Sequence, residues 1–270
     1  MNYRHAYHAG NFADVLKHGV LALVLEYMKQ KPAPFRVIDT HAGVGVYDLG
    51  GVEAGKTGEW QGGIGRLEAE PLPPEIAALL APYLAIVRTT QGYPGSPEIA
   101  RRLLRKDDAL VLNELHLADH QDLAGRYRHD ARIKLLNLDA WIAVKALLPP
   151  PERRGLILID PPYEEKDEFA HVARGLREAL KRFATGTFLL WYPVKDMQPV
   201  EAFHAGLGLP KSLRLELYTR APDTPHRLNG CGLLAVNPPF TLEKQMRTLL
   251  PFLAARLKNG PGEGWLARAG

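Results

Sequence analysis

Seven short apolar runs, most of them separated by helical or mixed segments, are the feature that most constrains the fold of this chain. Apolar runs bounded by turn signals are typical of buried strands, and strands that alternate with helices are typical of a parallel sheet covered on both faces. The segment between the sixth and seventh runs has no helical period, which predicts an antiparallel seventh strand. The runs are "FRVID", which begins at residue 35, and residues 109–115, 133–139, 155–160, 187–193, 213–218 and 232–238.

The helices predicted from apolar spacing fit the same architecture. Residues 14–30 and 168–184 have apolar side chains at helical intervals, and Pro32 ends the first pattern. The stretch between the first two strands is too long for a simple crossover and holds no convincing strand. We predict a helical insertion at about 50–107 within a single domain that spans residues 1–270.

Composition and charge exclude several classes of protein. The chain is 46% hydrophobic and 24% charged, which is ordinary for a globular protein. Its one cysteine, Cys231, excludes an internal disulfide framework and a cysteine-based zinc site, and it favours a reducing cytoplasm. No export signal or membrane segment is expected. The net charge of +4 and the pI near 9.1 permit a polyanionic partner without requiring one.

Acidic residues stand at the ends of the first three strands. Asp39 is followed by Gly43 and Gly45, and glycines at this edge of a parallel sheet allow a nucleotide to approach the backbone closely. The full dinucleotide pattern is absent, so a tight turn without a ligand explains the glycines equally well. Glu114 can accept hydrogen bonds from ribose hydroxyls. Asp139 can accept one from an adenine amino group, or it can be an exposed turn residue or a helix cap.

The tetrapeptide Asp160-Pro161-Pro162-Tyr163 ends the fourth strand and suits chemistry on the amino group of adenine. The lone pair of that nitrogen is delocalised into the ring. A carboxylate and a rigid backbone carbonyl, here Asp160 and Pro161, can hold the amino hydrogens while the nitrogen becomes tetrahedral. Prolines fix φ and remove competing N–H donors, and the ring of Tyr163 can stack on a base that has left its helix. A plain strand-terminating turn is the alternative.

A second tetrapeptide of the same type, Asn237-Pro238-Pro239-Phe240, ends the seventh run. Because this strand is predicted to be antiparallel, its carboxyl end points away from the edge where Glu114 and Asp160 converge. The prolines there are expected to stop a strand before the final helix. We therefore predict that Asp160 is the reacting residue and that Asn237 is structural.

The chain also resembles a known family over nearly its whole length. The tetrapeptide at 160–163 resembles the catalytic motif of S-adenosylmethionine-dependent N6-adenine methyltransferases, which have a Rossmann-like class I α/β fold with a seven-stranded, mostly parallel sheet and an antiparallel last strand. Several further segments resemble the RlmJ family, the bacterial 23S ribosomal RNA adenine-N6 methyltransferases. These segments are "YRHAYHAGNFADVLKH", "DTHAG", "TGE", "YPGSP", "NELH", "RRGLILIDPPYE", "KRFATG" and "LWYPV".

The resemblance implies a function, a cofactor and a set of site residues. It implies methylation of a specific adenine in 23S ribosomal RNA by a monomer that uses S-adenosylmethionine, without a metal or a membrane. Asp160 would be the catalytic acceptor. Cofactor contacts are implied for His18, His41, Ser96, Glu114, Asp139, Ala140 and Asp160, and contacts with the target adenosine are expected for Tyr3, His5, Pro161 and Tyr163.

Some alternatives stay open at this point. Ser96 precedes Pro97 and an apolar-periodic run, which predicts a helix N-cap whose N–H groups suit the methionyl carboxylate, or a cap without a ligand. His5, His8 and His18 lack a nearby cysteine or clustered carboxylates, so no metal site is predicted. Related tetrapeptides also serve methylation of DNA adenine and of protein glutamine. A non-catalytic RNA-binding module on the same fold is a further alternative.

Overall fold

The structure, a computed structural model, describes residues 4–164, 167–209, 211–222 and 227–270. Strands and helices alternate through most of this chain. The strands are Arg36–Asp39 (β1), Val46–Tyr47 (β2), Tyr93–Pro94 (β3), Ala109–Asn113 (β4), Ile133–Leu136 (β5), Gly155–Ile159 (β6), Thr187–Val194 (β7), Ser212–Tyr218 (β8), Gly230–Val236 (β9) and Gly264–Ala269 (β10).

The helices lie mainly between the strands. A 3-10 turn covers His5–Tyr7 and a π-helical turn covers Gln61–Gly65. The α-helices are Phe12–Lys29 (α1), Val52–Thr57 (α2), Arg66–Glu68 (α3), Pro74–Thr89 (α4), Ser96–Leu103 (α5), Leu117–Tyr127 (α6), Ala140–Leu147 (α7), Glu168–Arg182 (α8), Met197–Leu207 (α9) and Leu242–Arg256 (α10). None of the helices in the described ranges combines the length and the apolar character needed to cross a membrane.

One large sheet organises the molecule. Its strand order is β10-β8-β9-β7-β6-β1-β4-β5, in which the five strands from β7 to β5 are parallel. Strand β9 is antiparallel to both β7 and β8, as the sequence predicted for the seventh strand. The predicted mostly parallel Rossmann-like α/β fold is therefore confirmed, with one strand more than the seven expected.

The two faces of the sheet are covered by different helices. Helices α1, α4, α5 and α10 pack together on one face, and α7, α8 and α9 cover the other. Side chains of strand β6 pack on both faces of the sheet. Leu156 and Leu158 belong to the hydrophobic core on the side of α1, and Ile157 and Ile159 belong to the core on the side of α8. This period of two is the side-chain alternation of a strand that is buried on both faces, and it explains the uninterrupted apolar run.

Helix α1 lies within the protein along most of its length. The side chain of Asn11 caps it by accepting hydrogen bonds from the backbone N–H groups of Ala13 (2.9 Å) and Asp14 (3.1 Å). Every residue from Ala13 to Leu25 is buried, so the polar side chains in this stretch are held inside the protein. The predicted helix at 14–30 is thus confirmed, and its polar residues become candidates for function.

Two strand predictions need correction. Strand β10 adds an eighth strand to the sheet, antiparallel to β8, and no prediction included it. The segment predicted to be free of strands contains β2 and β3, which pair with each other in a separate two-stranded sheet with Tyr47 opposite Tyr93. Helices α2 to α5 otherwise fill the segment predicted as a helical insertion.

Candidate active site

The carboxyl ends of β1, β4 and β6 meet at one edge of the sheet, as expected for parallel strands. A first cleft at this edge is lined by five of the seven predicted cofactor-binding residues, namely His18, His41, Ser96, Glu114 and Asp160. A second cleft is lined by Asn11, Glu59, Tyr163, Trp191, Lys195 and Leu228, among others. The two clefts share His5, Lys17, Asp160 and Pro162. Asp160 therefore lies at the boundary between two adjoining spaces.

The loop after β1 contains two glycines that lie against aromatic side chains of the same chain. Gly43 and Gly45 have φ values of +61° and +86°, a region that favours glycine. A side chain at Gly43 would overlap the hydroxyl of Tyr47, and one at Gly45 would overlap the ring of Tyr127. In this structure the glycines make room for aromatic side chains of the same chain, whereas the sequence suggested either room for a ligand or a tight turn without one.

Glu114 is held by two backbone groups at the end of β4. One carboxylate oxygen accepts a hydrogen bond from the N–H of Gly43 and the other from the N–H of His116, both at 2.8 Å. Burial raises the pKa of Glu114, and these hydrogen bonds oppose that shift. Because a carboxylate offers about four lone-pair sites, two acceptor positions are left for a hydroxyl pair.

Ser96 differs from its predicted role as a helix cap. Gly95 occupies the N-cap of α5, and Ser96 is the first helical residue. Its hydroxyl donates to Oδ2 of Asp39 at 2.6 Å, so the hydroxyl faces the end of β1 and does not cap the helix. Burial raises the pKa of Asp39 to about 6, although the hydrogen bond from Ser96 lowers it. The backbone N–H of Ser96 belongs to the first helical turn, which has no intrahelical partner.

Two predicted histidines, the buried His18 and the partly buried His41, are neutral. Burial lowers the pKa of His18 to about 3 and that of His41 to about 4. Nδ1 of His18 lies 2.9 Å from the hydroxyl oxygen of Tyr93. Nδ1 of His41 accepts a hydrogen bond of 3.4 Å from the backbone N–H of Asp160. Both rings therefore act as hydrogen-bonding groups near neutral pH and do not supply positive charge.

Asp139 and Ala140 stand at the start of α7 and are not among the residues that line either cleft. Oδ1 of Asp139 accepts hydrogen bonds of 3.0 Å from the N–H groups of Trp141 and Ile142, so this residue caps the helix. Its charge still acts on His41 at the first cleft. The capping alternative for Asp139 is thus observed, and the residue is exposed.

A buried ion-pair network connects α1 to the tetrapeptide at 160–163. Nζ of Lys17 lies 2.6 Å from Oδ2 of Asp160 and 2.9 Å from Oδ1 of Asp14. Oδ2 of Asp14 lies 2.9 Å from Nε2 of His5 and accepts a hydrogen bond from the N–H of Gly10 at 2.8 Å. Burial opposes the charges, yet attraction holds the pKa of Asp14 well below its usual range and that of Lys17 well above. This network fixes one oxygen of Asp160 and ties the N-terminal segment to it.

The aromatic end of the tetrapeptide is held in place by its surroundings. Tyr163 has φ +49°, which is uncommon for a residue with a large side chain. Its hydroxyl donates to the carbonyl of Trp191 at 3.1 Å, and its ring centroid lies 5.0 Å from that of Phe169 and 6.0 Å from that of Trp191. The tyrosine therefore forms a fixed wall of the second cleft.

The other residues predicted to contact the target are placed unequally. Pro161 is buried and lines neither cleft, whereas its neighbour Pro162 lines both. His5 lines both clefts. Tyr3 lies outside the described residues.

The second tetrapeptide lies at the opposite edge of the sheet, as predicted. The amide of Asn237 donates hydrogen bonds of 2.8 Å to the carbonyls of Ala184 and Gly186, which precede β7. Its backbone has φ +49°, a conformation that asparagine tolerates better than most residues. Asn237 thus closes a turn at the amino edge of the sheet.

The comparisons with known proteins identify the family of the chain. The family model described as "Ribosomal RNA large subunit methyltransferase D, RlmJ" matches residues 32–267. The chain is 45% identical over 264 residues to "Ribosomal RNA large subunit methyltransferase J" of Escherichia coli, covering 95% of this chain and 94% of that protein. The chain belongs to the RlmJ family. The protein of the same name from Haemophilus influenzae is 44% identical over 269 residues, at the same coverage.

A solved structure supports the fold of this RlmJ-family chain. The crystal structure of a Legionella pneumophila protein superposes with a TM-score of 0.87 at 34% identity, covering 97% of this chain and 98% of that one. These matches confirm the family predicted from the sequence. They also confirm the predicted methyltransferase activity, with S-adenosylmethionine as the methyl donor.

The first cleft has a donor and acceptor set that fits this cofactor. Glu114 retains acceptor positions for two ribose hydroxyls. The start of α5 at Ser96 offers backbone N–H groups, which suit the methionyl carboxylate. Among the residues that the structure describes, no group of three or more histidine, cysteine or acidic side chains is arranged to hold a metal ion.

Lys17 and Asp14 are the site residues of this RlmJ-family protein that sequence reasoning missed. Both lie on α1, three residues apart, within the segment "DVLKH". The available signal was the presence of Asp14, Lys17 and His18 in a stretch, from Ala13 to Leu25, that is otherwise apolar. A fully buried stretch of helix cannot carry such residues unless they are paired.

Proposed function

We propose that this RlmJ-family enzyme transfers the methyl group of S-adenosylmethionine to the amino nitrogen N6 of a specific adenine in 23S ribosomal RNA. The observation that supports it most directly is the position of Asp160, which borders both clefts and is fixed by Lys17 through one oxygen. The first cleft would hold the cofactor and the second would hold the adenine. Both relatives reported above are named as ribosomal RNA large subunit methyltransferases.

The residues of the first cleft would bind the parts of the cofactor separately. Glu114 would accept hydrogen bonds from the ribose hydroxyls, and the N–H groups at the start of α5 near Ser96 would bind the carboxylate. Asp139 would accept a hydrogen bond from the adenine amino group through Oδ2, and the N–H of Ala140 would donate to the same ring. His18 and His41 would contribute neutral hydrogen-bonding surfaces.

The chemistry requires the adenine amino group to be held in line with the methyl group. When bound, S-adenosylmethionine supplies an electrophilic methyl carbon, to which the N6 lone pair bonds as the carbon–sulfur bond breaks and its electron pair returns to sulfur. Oδ1 of Asp160, which has no hydrogen-bond partner among the described residues, would accept an amino hydrogen. The family resemblance implies the carbonyl of Pro161 as the second acceptor, although Pro161 lines neither cleft in this structure. The nitrogen then loses one proton toward the open side of the second cleft.

Lys17 and Tyr163 would fix the positions of the Asp160 carboxylate and of the target base. The ion pair between Lys17 and Oδ2 of Asp160 would restrict the carboxylate to one orientation and leave Oδ1 for the substrate. Tyr163, tethered through Trp191, would stack on the base after it leaves the RNA helix. Orienting the two reactants in this way can supply roughly 7–11 kcal/mol of the barrier reduction. His5 and Tyr3 would contact the target adenosine.

The organisation of the chain forms part of the same proposal. Residues 1–270 would form a single methyltransferase domain that acts as a monomer in the cytoplasm. The segment at about 50–107 would be an insertion that brings Ser96 and Glu59 to the two clefts.

The test compares three substrate classes and one matched pair of variants. Purified protein is incubated with tritium-labelled cofactor and with 23S ribosomal RNA from cells that lack this protein, DNA or a protein extract. We expect label in an N6-methyladenosine of the RNA, and a loss on the order of a hundredfold for Asp160→Asn. Asp196→Asn is the control, because Asp196 is an exposed helix cap at α9. Transfer to DNA or to glutamine, or full activity of Asp160→Asn, would contradict the proposal.

A further inference from the structure

Three cations stand together at the sheet edge beside the second cleft. Lys195 follows β7 and lines this cleft together with Leu228. Arg227 precedes Leu228, and Arg220 lies two residues after the end of β8. All three residues therefore lie at the carboxyl edge of β7 and β8, the same edge that bears Asp160.

The backbone register places the three cations beside the ends of three adjacent strands, β7, β9 and β8. Strand β9 pairs with both β7 and β8, with Gly230 opposite Val194 and Tyr218. The pairing continues beyond the strands, since Asn229 N–H donates to the Val194 carbonyl and Thr219 N–H donates to the Asn229 carbonyl, both at 3.0 Å. Neighbouring strands are about 4.8 Å apart, so the row spans about 10 Å.

The backbone around Arg220 is fixed on both sides. The carbonyl of Thr219 accepts a hydrogen bond from the N–H of Asn259 at 2.7 Å, and the N–H of Ala221 donates to the carbonyl of Pro261 at 2.8 Å. A side chain at Gly260 would press against Cβ of Arg220. The loop at 259–261 therefore positions the arginine and keeps its direction constant.

These cations lack carboxylate partners within the described chain. Lys195, Arg220 and Arg227 take part in no salt bridge there, and the buried Nε of Arg220 has no hydrogen-bond partner. Burial and the charge of Arg227 lower the pKa of Arg220, so the two guanidinium groups repel each other. By contrast, Arg214 on the same strand is paired with Glu201 and Glu216. The two guanidinium groups are thus held near each other with no acid from the described residues paired to them, and an anion that joined them would relieve the repulsion.

We propose that Lys195, Arg220 and Arg227 bind the RNA phosphates that flank the target adenosine. This inference rests on the proposed function, because it assumes that the second cleft receives a base from RNA. A base that has left its helix remains joined to its ribose and phosphates, which must lie at the mouth of the cleft. Arginine presents a planar set of donors that matches phosphate, and such contacts fix register without reading sequence.

The experiment measures RNA binding as a function of salt. Arg220→Gln, Arg227→Gln and Lys195→Gln are compared with Arg247→Gln, which removes an exposed arginine near the start of α10 from a surface ion pair. Binding of a short RNA containing the target is followed by fluorescence anisotropy from about 50 to 300 mM KCl, and methylation of 23S ribosomal RNA is measured in parallel. Calorimetry with S-adenosylhomocysteine verifies that each variant is folded.

Each lost phosphate contact should change the salt dependence by a defined amount. The slope of log K against log salt should become shallower by about 0.7–0.9 per substitution, and affinity at about 0.1 M salt should fall about sixfold. The KM for RNA should rise by the same factor while kcat and cofactor affinity stay constant. Arg220→Lys should keep most of the slope, and Arg247→Gln should leave all these values unchanged.

The outcomes separate this inference from the proposed function. Unchanged slopes and KM values in all three variants, with normal methylation by the wild type, would overturn the phosphate contacts alone. Equal losses for Arg247→Gln would also overturn them, since the effect would then come from net charge. Wild-type protein that bound RNA with the expected slopes but methylated no RNA would support the phosphate contacts and contradict the proposed function.

Discussion

Replacing Lys17 by methionine should destabilise the protein strongly and in a pH-dependent manner. The substitution removes the ammonium that lies 2.9 Å from Asp14 and 2.6 Å from Asp160, and the side chains of Lys17 and Asp14 are 5% and 1% exposed. At an effective dielectric constant of about 20, one such pair is worth about 6 kcal/mol before desolvation is counted. Deleting one partner of a buried pair costs about 3–5 kcal/mol, which is the loss we expect at pH 8.

The loss should shrink as the pH falls. In the wild type the pKa of Asp14 is held well below its usual range, so its stabilisation is present above pH 4 and is lost in acid. Without Lys17, burial dominates and raises the pKa of Asp14, so the variant gains stability as Asp14 is protonated. Urea unfolding followed by circular dichroism at pH 8 and pH 5.5 measures both effects, and methylation should fall because Asp160 loses its fixed rotamer.

The matched control lies on the same helix. Lys29→Met removes a partly exposed lysine at the end of the helix that pairs with Glu26 at 2.5 Å, and such a surface pair contributes only about 0–1 kcal/mol. An equal loss in the two variants, or a Lys17→Met protein with the wild-type urea midpoint at pH 8 and full methylation, would refute the reasoning.

Three further predictions concern other parts of the fold. Asp39→Asn should flatten the pH dependence of unfolding: burial raises the Asp39 pKa to about 6, so its contribution to stability is present below pH 4 and falls by on the order of 2 kcal/mol by pH 7. Gly175→Ala should cost about 1–3 kcal/mol, because the new Cβ would overlap the ring of Trp141. Asn237→Ala should lower the free energy of unfolding by about 1–3 kcal/mol, through two lost hydrogen bonds, while the folded fraction keeps its methylation rate.

Each of these predictions has its own control. The free energy of unfolding of Asp39→Asn minus that of the wild type should increase from pH 4 to pH 7, because only the wild type loses stability in this range. A constant difference would contradict the raised pKa of Asp39. In Gly125→Ala on α6 the new Cβ would meet no atom within 4 Å, so this change should be neutral or stabilising. A loss of unfolding free energy equal to that of Gly175→Ala would show that the overlap with Trp141 is not the cause. A specific loss of kcat in Asn237→Ala would assign this residue to the site.

The central part of the sheet could be predicted because its strands are buried on both faces. Strand β6 is apolar at every position, so its signal stands out from the sequence. Strand β10 was missed because its apolar run, Trp265 to Ala267, is only three residues long, and Ala267 is its one buried residue. Strands β2 and β3 are two residues long, which is too short for any periodicity.

Part of the site could be predicted because the order and direction of the strands determine which residues lie at one edge of the sheet. Acids at the ends of parallel strands share an edge, and this rule predicts that Glu114 and Asp160 lie at the same edge of the sheet. Lys17 could not be found in this way, since its role depends on a contact between residues 143 positions apart in the sequence. The cap at Ser96 was wrong by one position, because a serine before a proline satisfies the same pattern whether its hydroxyl caps the helix or donates to Asp39.

The glycine loop after β1 also limits what can be moved between proteins. Its shape depends on Tyr47, from the segment that follows it, and on Tyr127, from the end of α6. The loop sequence alone does not encode its conformation, because the two rings that fill the space beside Gly43 and Gly45 come from outside it. Grafting "DTHAGVG" onto another methyltransferase would therefore not transfer its shape unless both tyrosines were transferred as well.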